Sequence, residues 1–207
     1  MRYEERPLLV YWEMTRACGL ACKHCRAEAI PWRDPLELST EEGYTLLEQL
    51  AGFGEPMPHL VLTGGDPLMR PDLFELIGHA RGLGFKVAVT PSGTERLTEE
   101  VMQRMRKAEV WMLALSLDGS SPQRHDAVRG VDGSFAQTLR ALRWAREAEI
   151  PVQVNTLVCA ETLGDLSAIH TVVSDLDIAQ WALFFLIGVG RARVLGEVTP
   201  TESEEVM

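Results

Sequence analysis

Short apolar runs alternate with stretches in which apolar residues recur every three or four positions, and this alternation continues along most of the 207 residues. Leu8 to Met14, centred on Val10-Tyr11-Trp12, has the β-branched and aromatic content of a strand. His59 to Thr63, Phe85 to Thr90, Trp111 to Leu117, Pro151 to Val158 and Ala179 to Ile187 predict five more. Between them, Ser39-Thr40-Glu41-Glu42 has the form of a capping box ahead of a helix to Gly52. Pro71 suits the first turn of a second helix reaching Arg81, with Gly82 and Gly84 at its exit. Thr98 opens a third to Ala108, Ser134 caps a fourth to Glu149, and Leu163 to Leu176 reads as a fifth.

Strands alternating with helices predict a parallel sheet whose crossovers put the helices outside. Each unit takes roughly 30 residues, and a complete eight-fold barrel takes about 250. Six units over residues 8–187, within a single domain spanning 1–207, therefore predict an α/β fold: a partial (β/α)6 TIM-like barrel, parallel and open on one side. A doubly wound open sheet is the alternative. No repeat, low-complexity run or linker interrupts the pattern. Thr201-Glu202-Ser203-Glu204 has the form of another capping box, so residues 188–207 read as the start of an unfinished C-terminal segment with more chain expected beyond.

Apolar residues make up 46% of the chain, enough for a full core and too many for disorder. A formal net charge of -10 speaks against nucleic acid as a partner, which calls for a basic surface. The charged N-terminus runs into an apolar stretch too short for a signal sequence or a membrane span, so a soluble cytoplasmic protein with no membrane partner is expected. Three of the four cysteines fall within eight residues, which suits metal binding in a reducing compartment better than a disulfide framework.

Those three are Cys18, Cys22 and Cys25, in Cys18-Gly19-Leu20-Ala21-Cys22-Lys23-His24-Cys25. Iron–sulfur cubes are ordinarily held by four thiolates. Three imply a fourth ligand elsewhere, or an iron left for a small molecule. A zinc site or structural cluster completed by Cys159 or His24 is the first possibility, but zinc sites use paired half-motifs and no second Cys pair exists. The run follows the first predicted strand. Gly64-Gly65-Asp66-Pro67 follows the second, Ser92-Gly93 the third and Asp118-Gly119 the fourth. All stand at carboxyl ends of strands, the rim where parallel α/β folds bind ligands.

The Cys-x3-Cys-x2-Cys run with an aromatic, His24, before its last Cys, together with Gly64-Gly65-Asp66-Pro67, resembles the radical S-adenosylmethionine enzymes. The likeness extends through Ser116-Leu117-Asp118-Gly119, His125-Asp126, Arg129-Gly130 and Val154-Asn155-Thr156, and is greatest to the radical SAM/SPASM branch of peptide maturases and haem-biosynthesis enzymes. The resemblance implies that Cys18, Cys22 and Cys25 bind a [4Fe-4S] cluster whose open iron takes S-adenosyl-L-methionine. It further implies that reductive cleavage gives a 5'-deoxyadenosyl radical, which takes hydrogen from a peptide or tetrapyrrole-type substrate. A reductant such as a flavodoxin or ferredoxin would supply the electron.

The resemblance also distributes contacts to the S-adenosylmethionine. It puts His24 near the adenine, and Gly64, Gly65 and Asp66 at the methionyl ammonium, although the family usually has Glu where Asp66 stands. Ser92, Ser116 and Arg129 are implied at the ribose and the methionyl carboxylate, Arg being suited to a carboxylate clamp. Local turn bonding and a solvated surface charge are the plainer readings of these three. Asn155 interrupts an apolar strand and is read as a cofactor contact or a structural amide. Gly188 and Gly190 are implied to let backbone approach the adenine. His125 and Asp126 read as structural, because neighbouring helical residues do not face each other, and Cys159 as a small buried hydrophobe. Two other functional readings remain open: a non-catalytic iron–sulfur or electron-transfer module, and an inactive truncated remnant.

Overall fold

The structure, a computed structural model, describes residues 6–206. Strands β1 (Leu9–Glu13), β2 (His59–Thr63), β3 (Val87–Val89), β4 (Met112–Ser116), β5 (Val152–Val158) and β6 (Gln180–Phe185) form one sheet in the order of the chain. Every neighbouring pair is parallel. β1 and β6 are its edges and do not pair with each other, so the barrel is open between them. The doubly wound alternative, which would reorder the strands, is excluded.

Helices α1 (Thr40–Ala51), α2 (Leu73–Gly82), α3 (Glu99–Lys107), α4 (Pro122–Arg129), α5 (Ser134–Glu147), α6 (Leu166–Ser174) and α7 (Pro200–Val206) complete the described elements of this kind. No helix is long and apolar enough to cross a membrane among the described residues. The capping box at Ser39 is present in both directions, Glu42 N–H to Ser39 Oγ and Ser39 N–H to the Glu42 carboxylate. Thr98 caps α3 through the N–H of Val101.

Other boundaries differ from expectation for local reasons. Phe85 to Thr90 contracts to the three residues of β3. Pro71 stands before α2, which starts at Leu73 behind Asp72. The α5 cap is Gly133 in a left-handed conformation, not Ser134. Asp126 replaces the missing side-chain cap, accepting from Gly133 N, Phe135 N and Ser134 Oγ at 2.7–2.8 Å. The C-terminal capping box lies two residues earlier than expected, with Thr199 and Glu202 as its members.

Alternation along each strand separates two faces. Trp12, Leu60, Leu62, Val87, Val89, Leu113, Leu115 and Val154 pack into the core beneath the helices. In register, Tyr11, Val61, Ala88 and Met112 line the other, concave face. Nearer the carboxyl rim that face carries Ser116, Asn155 and Ala182, again in register, and then Phe184. Ala88, Ala114, Ser116 and Ala182 are small, which keeps the middle of the concavity clear. Buried Arg70 braces the end of β1 from behind: its Nη1 donates to Met14 O at 3.1 Å and Leu38 O at 3.0 Å, and its Nε to Asp72 at 2.9 Å.

Candidate functional site

β1 delivers the chain to the rim, and residues 14–30 loop across it. Cys18 N–H donates to Ile30 O at 2.8 Å and Ile30 N–H to Arg16 O at 3.0 Å, closing the base of the loop. Cys18, Leu20 and Cys22 form a small buried cluster with Cys25 and Ala29 against it. Two backbone N–H groups are directed at sulfur, Leu20 N to Cys18 Sγ and Ala29 N to Cys25 Sγ, both at 3.4 Å. Hydrogen bonds to the sulfurs are among the features by which proteins tune iron–sulfur clusters. Burial pushes the Cys22 thiol up, while the neighbouring Arg129 charge pulls the other way.

Neighbouring strand ends hold this loop in place. Gly65 N–H donates to Thr15 O at 2.6 Å and Asp66 N–H to Ala17 O at 2.7 Å. Gly64 has φ +133°, and a Cβ on Gly65 would lie 2.3 Å from Ala17 O. Only glycine lets the two backbones come this close. Beyond β3, Ser92 Oγ donates to Gly65 O at 2.7 Å and accepts from Cys18 Sγ at 3.2 Å. It therefore ties the Gly-Gly turn to the first thiol. From α4, Val128 O accepts from Lys23 N–H at 3.0 Å.

Charge concentrates beneath the loop. Arg129 and Asp118 are both buried and pair at 3.2 Å. Burial alone would raise the Asp118 carboxyl, but Arg129, His24, His125 and the Leu157 N–H together hold it below the usual carboxylate range. His125 accepts the Asp118 N–H at Nδ1, 3.0 Å away, and packs edge-on to Phe135. Its burial dominates and lowers its pKa to about 4, so it stays neutral and structural.

Most of the expected site residues are thus gathered at one rim. Cys18, Cys22, Cys25, His24, Gly64, Gly65, Ser92 and Arg129 surround the loop, while Ser116 and Asn155 share a rung of the concave wall next to it. Asn155 Oδ1 already accepts from Gln153 Nε2 at 2.6 Å. The Asp66 carboxylate is engaged within the fold. It is fully buried and accepts from Leu68 N, Ser92 N and Thr94 Oγ1, so the fold itself uses this side chain, and the backbone of the Gly64–Asp66 turn is what it leaves for a ligand. Being one methylene shorter than Glu, it caps the turn Pro67–Met69 that follows it.

Cys159 stands apart with Leu157, Leu186 and Ala192, its sulfur 3.5 Å from Thr162 Oγ1. Among the described residues no three His, Cys, Asp or Glu side chains converge on one point, as a single zinc ion would need. A four-iron cube instead spreads its thiolates over separate irons, so three cysteines spaced along one loop suit it. The donor set fits such a cluster: three thiols on one loop, N–H groups aimed at two of them, a buried guanidinium beside a third, and a buried His24 Nδ1 without a partner. Two contributors were not among the expected ligands. In sequence, Asp118 stands at a strand end within the Ser116-Leu117-Asp118-Gly119 motif, and Arg191 directly follows Gly188-Val189-Gly190.

An open parallel half-barrel with a three-thiol loop on its carboxyl rim defines a class of iron–sulfur-binding α/β proteins. The Radical SAM superfamily model matches residues 12–171, and the chain belongs to that superfamily, whose cofactors are a [4Fe-4S] cluster and S-adenosylmethionine. It is 41% identical over 201 residues to the AdoMet-dependent heme synthase of Oleidesulfovibrio alaskensis, covering 96% of this chain and 51% of that protein. It is 32% identical over 204 residues to the mycofactocin maturase MftC of Mycobacterium ulcerans, covering 98% and 54%. SuiB of Streptococcus suis, solved bound to S-adenosylmethionine, shares the fold with a TM-score of 0.82 at 14% identity, covering 98% of this chain and 47% of that one. The chain spans about half the length of the curated relatives it matches.

Proposed function

We propose that this chain is the radical-generating half-barrel of an enzyme that acts on a tetrapyrrole-type substrate. The observation that carries the radical chemistry is the Cys18–Cys22–Cys25 loop, closed at its base and seated on the rim of the concavity. Cys18, Cys22 and Cys25 would hold the [4Fe-4S] cluster. When bound, the cluster and S-adenosylmethionine supply electron transfer into the sulfonium and a 5'-deoxyadenosyl radical that takes hydrogen from the substrate. The protein orients and encloses. Gly64 and Gly65 keep backbone close beneath the loop, Ser92 fixes Cys18, and the Asp118–Arg129 pair sets the charge behind Cys22. The concave wall from Tyr11 to Phe184 would receive the substrate, with Ser116 and Asn155 offering polar contacts to the nucleoside.

The tetrapyrrole class is supported by the relatives named AdoMet-dependent heme synthase, at 34–41% identity, above the mycofactocin maturase at 32% and the PqqA peptide cyclase at 33%. A one-electron donor of flavodoxin or ferredoxin type is the implied partner. Anaerobic reconstitution should give about four irons per chain. Dithionite and S-adenosylmethionine should then give 5'-deoxyadenosine, and a propionate-bearing tetrapyrrole deuterated on its side chains should pass deuterium into it. A reconstituted cluster that never yields 5'-deoxyadenosine sinks the catalytic reading. Deuterium transfer only from a peptide would move the substrate to the maturase class.

A further inference from the structure

Arg191 lies on the short helical turn Gly190–Val194, which is clamped onto the end of the cysteine loop. Its backbone N–H donates to Cys25 O at 3.2 Å. Gly190 presses on the same stretch, where a Cβ would stand 2.9 Å from Cys25 O and 2.8 Å from Arg26 O. The Nε and Nη2 of Arg191 are buried and neither has a hydrogen-bond partner. Among the described residues no carboxylate forms an ion pair with it. His24 Nδ1, in the loop itself, is also buried without a partner, and the Arg191 charge acts on that ring. Arg129 differs, because Asp118 already meets its charge.

Buried donors on a cation without a counter-charge are costly, and a fold that keeps them has a negative group to complete the arrangement. Three thiolates on a four-iron core carry net negative charge, and one-electron reduction adds another. A nearby fixed cation favours the reduced form over the oxidised one.

We propose that Arg191 is the counter-cation of the cluster and raises its reduction potential, an inference that rests on the loop holding a [4Fe-4S] cluster. One electron passes from the external reductant to the cluster, and no bond forms or breaks at Arg191. Its role is positioning of charge.

The test compares reconstituted wild type with Arg191→Met, Arg191→Lys and, as an exposed neighbour, Arg193→Met. Iron and sulfide are assayed first, and the cluster is then titrated by electron paramagnetic resonance without S-adenosylmethionine. Arg191→Met is expected to lower the reduced-to-oxidised ratio at a fixed poise about tenfold, which is about 59 mV for one electron. Arg191→Lys should recover most of that shift and Arg193→Met should show none. In the iron-free chain, Arg191→Met should unfold at a urea concentration no lower than wild type. Should Arg191→Met fail to keep its cluster, Arg191→Gln repeats the titration. An unchanged potential with a full cluster overturns the proposal, and so does an unchanged potential with weakened S-adenosylmethionine binding, which would assign Arg191 to the nucleoside. A wild-type chain that takes up no cluster overturns the underlying reading instead, and this one with it.

Discussion

The Asp118 carboxylate meets the Arg129 guanidinium at 3.2 Å with both residues buried, directly behind the loop that carries Cys22. The second Asp118 oxygen accepts Leu157 N–H at 2.8 Å, so one side chain joins three consecutive parts of the rim. Breaking one half of a buried pair leaves the other charge uncompensated. Asp118→Asn keeps an acceptor for Leu157 and removes only the charge. It is expected to cost about 3 kcal/mol in the iron-free chain, by urea denaturation. In the cluster-loaded chain the thiolates beside Arg129 replace part of the lost charge, and the penalty should shrink. An equal penalty in both states would show that Arg129 does not feel the cluster.

His125 makes the iron-free chain sensitive to mild acid. Burial, partly offset by the Asp118 charge, brings its folded pKa to about 4, against about 6.5 for an unperturbed histidine. Between those values the unfolded chain binds a proton that the folded chain does not, so stability falls as pH drops from 6.5 towards 4. The full span is worth about 3 kcal/mol. Urea unfolding at pH 7.5 and 4.5 should show most of that loss in wild type. His125→Gln, which keeps an acceptor for the Asp118 N–H, should flatten the difference; the same slope in both proteins would place the titration elsewhere.

Much of this arrangement is legible in the sequence because strand ends are marked by local chemistry. Gly64-Gly65, Ser92 and the three cysteines each carry a turn or a ligand type at the end of an apolar run, and parallel topology brings those ends together. What the sequence does not reveal is what each side chain spends its bonds on. Asp66 looks like a ligand in sequence, yet Thr94 and two backbone N–H groups claim it. Asp126 sits beside a histidine but caps α5, from seven to nine residues away. Helix α4 carries His125 and Arg129 but has a weak apolar face, so periodicity alone does not delimit it. Arg191 reaches Cys25 across 166 positions of sequence, a contact no local pattern encodes.

Cys159 separates a cluster with three protein ligands from one with four. Its sulfur lies among Leu157, Leu186 and Ala192, apart from the loop cysteines, and burial pushes its thiol up. Cys159→Ala should cost about 1 kcal/mol in stability and leave the iron content of the reconstituted protein unchanged. Cys22→Ala should abolish the cluster. Loss of iron in Cys159→Ala would make it the fourth ligand and leave no iron for S-adenosylmethionine.

Gly190 and Gly133 share a left-handed backbone and differ in what surrounds them, which isolates the clamp on the cysteine loop. Gly133 has φ +83° and nothing within 4 Å of the point where a methyl group would stand, so Gly133→Ala bears only the conformational cost of about 1 kcal/mol. Gly190 has φ +56°, and its Cβ would meet Cys25 O and Arg26 O below 3.0 Å. Backbone on one side or the other must move. The loop end is held there by the Arg191 N–H to Cys25 O and by the Ala29 N–H to Cys25 Sγ, so displacement acts directly on the third thiol. Gly190→Ala should therefore release iron to a chelator several-fold faster than wild type, whereas Gly133→Ala should release it at the wild-type rate despite its own loss of stability in urea. Equal release from both variants would mean that the Gly190–Val194 turn can shift without disturbing Cys25, and that the contacts at Cys18, Ile30, Ala17 and Lys23 suffice to hold the loop.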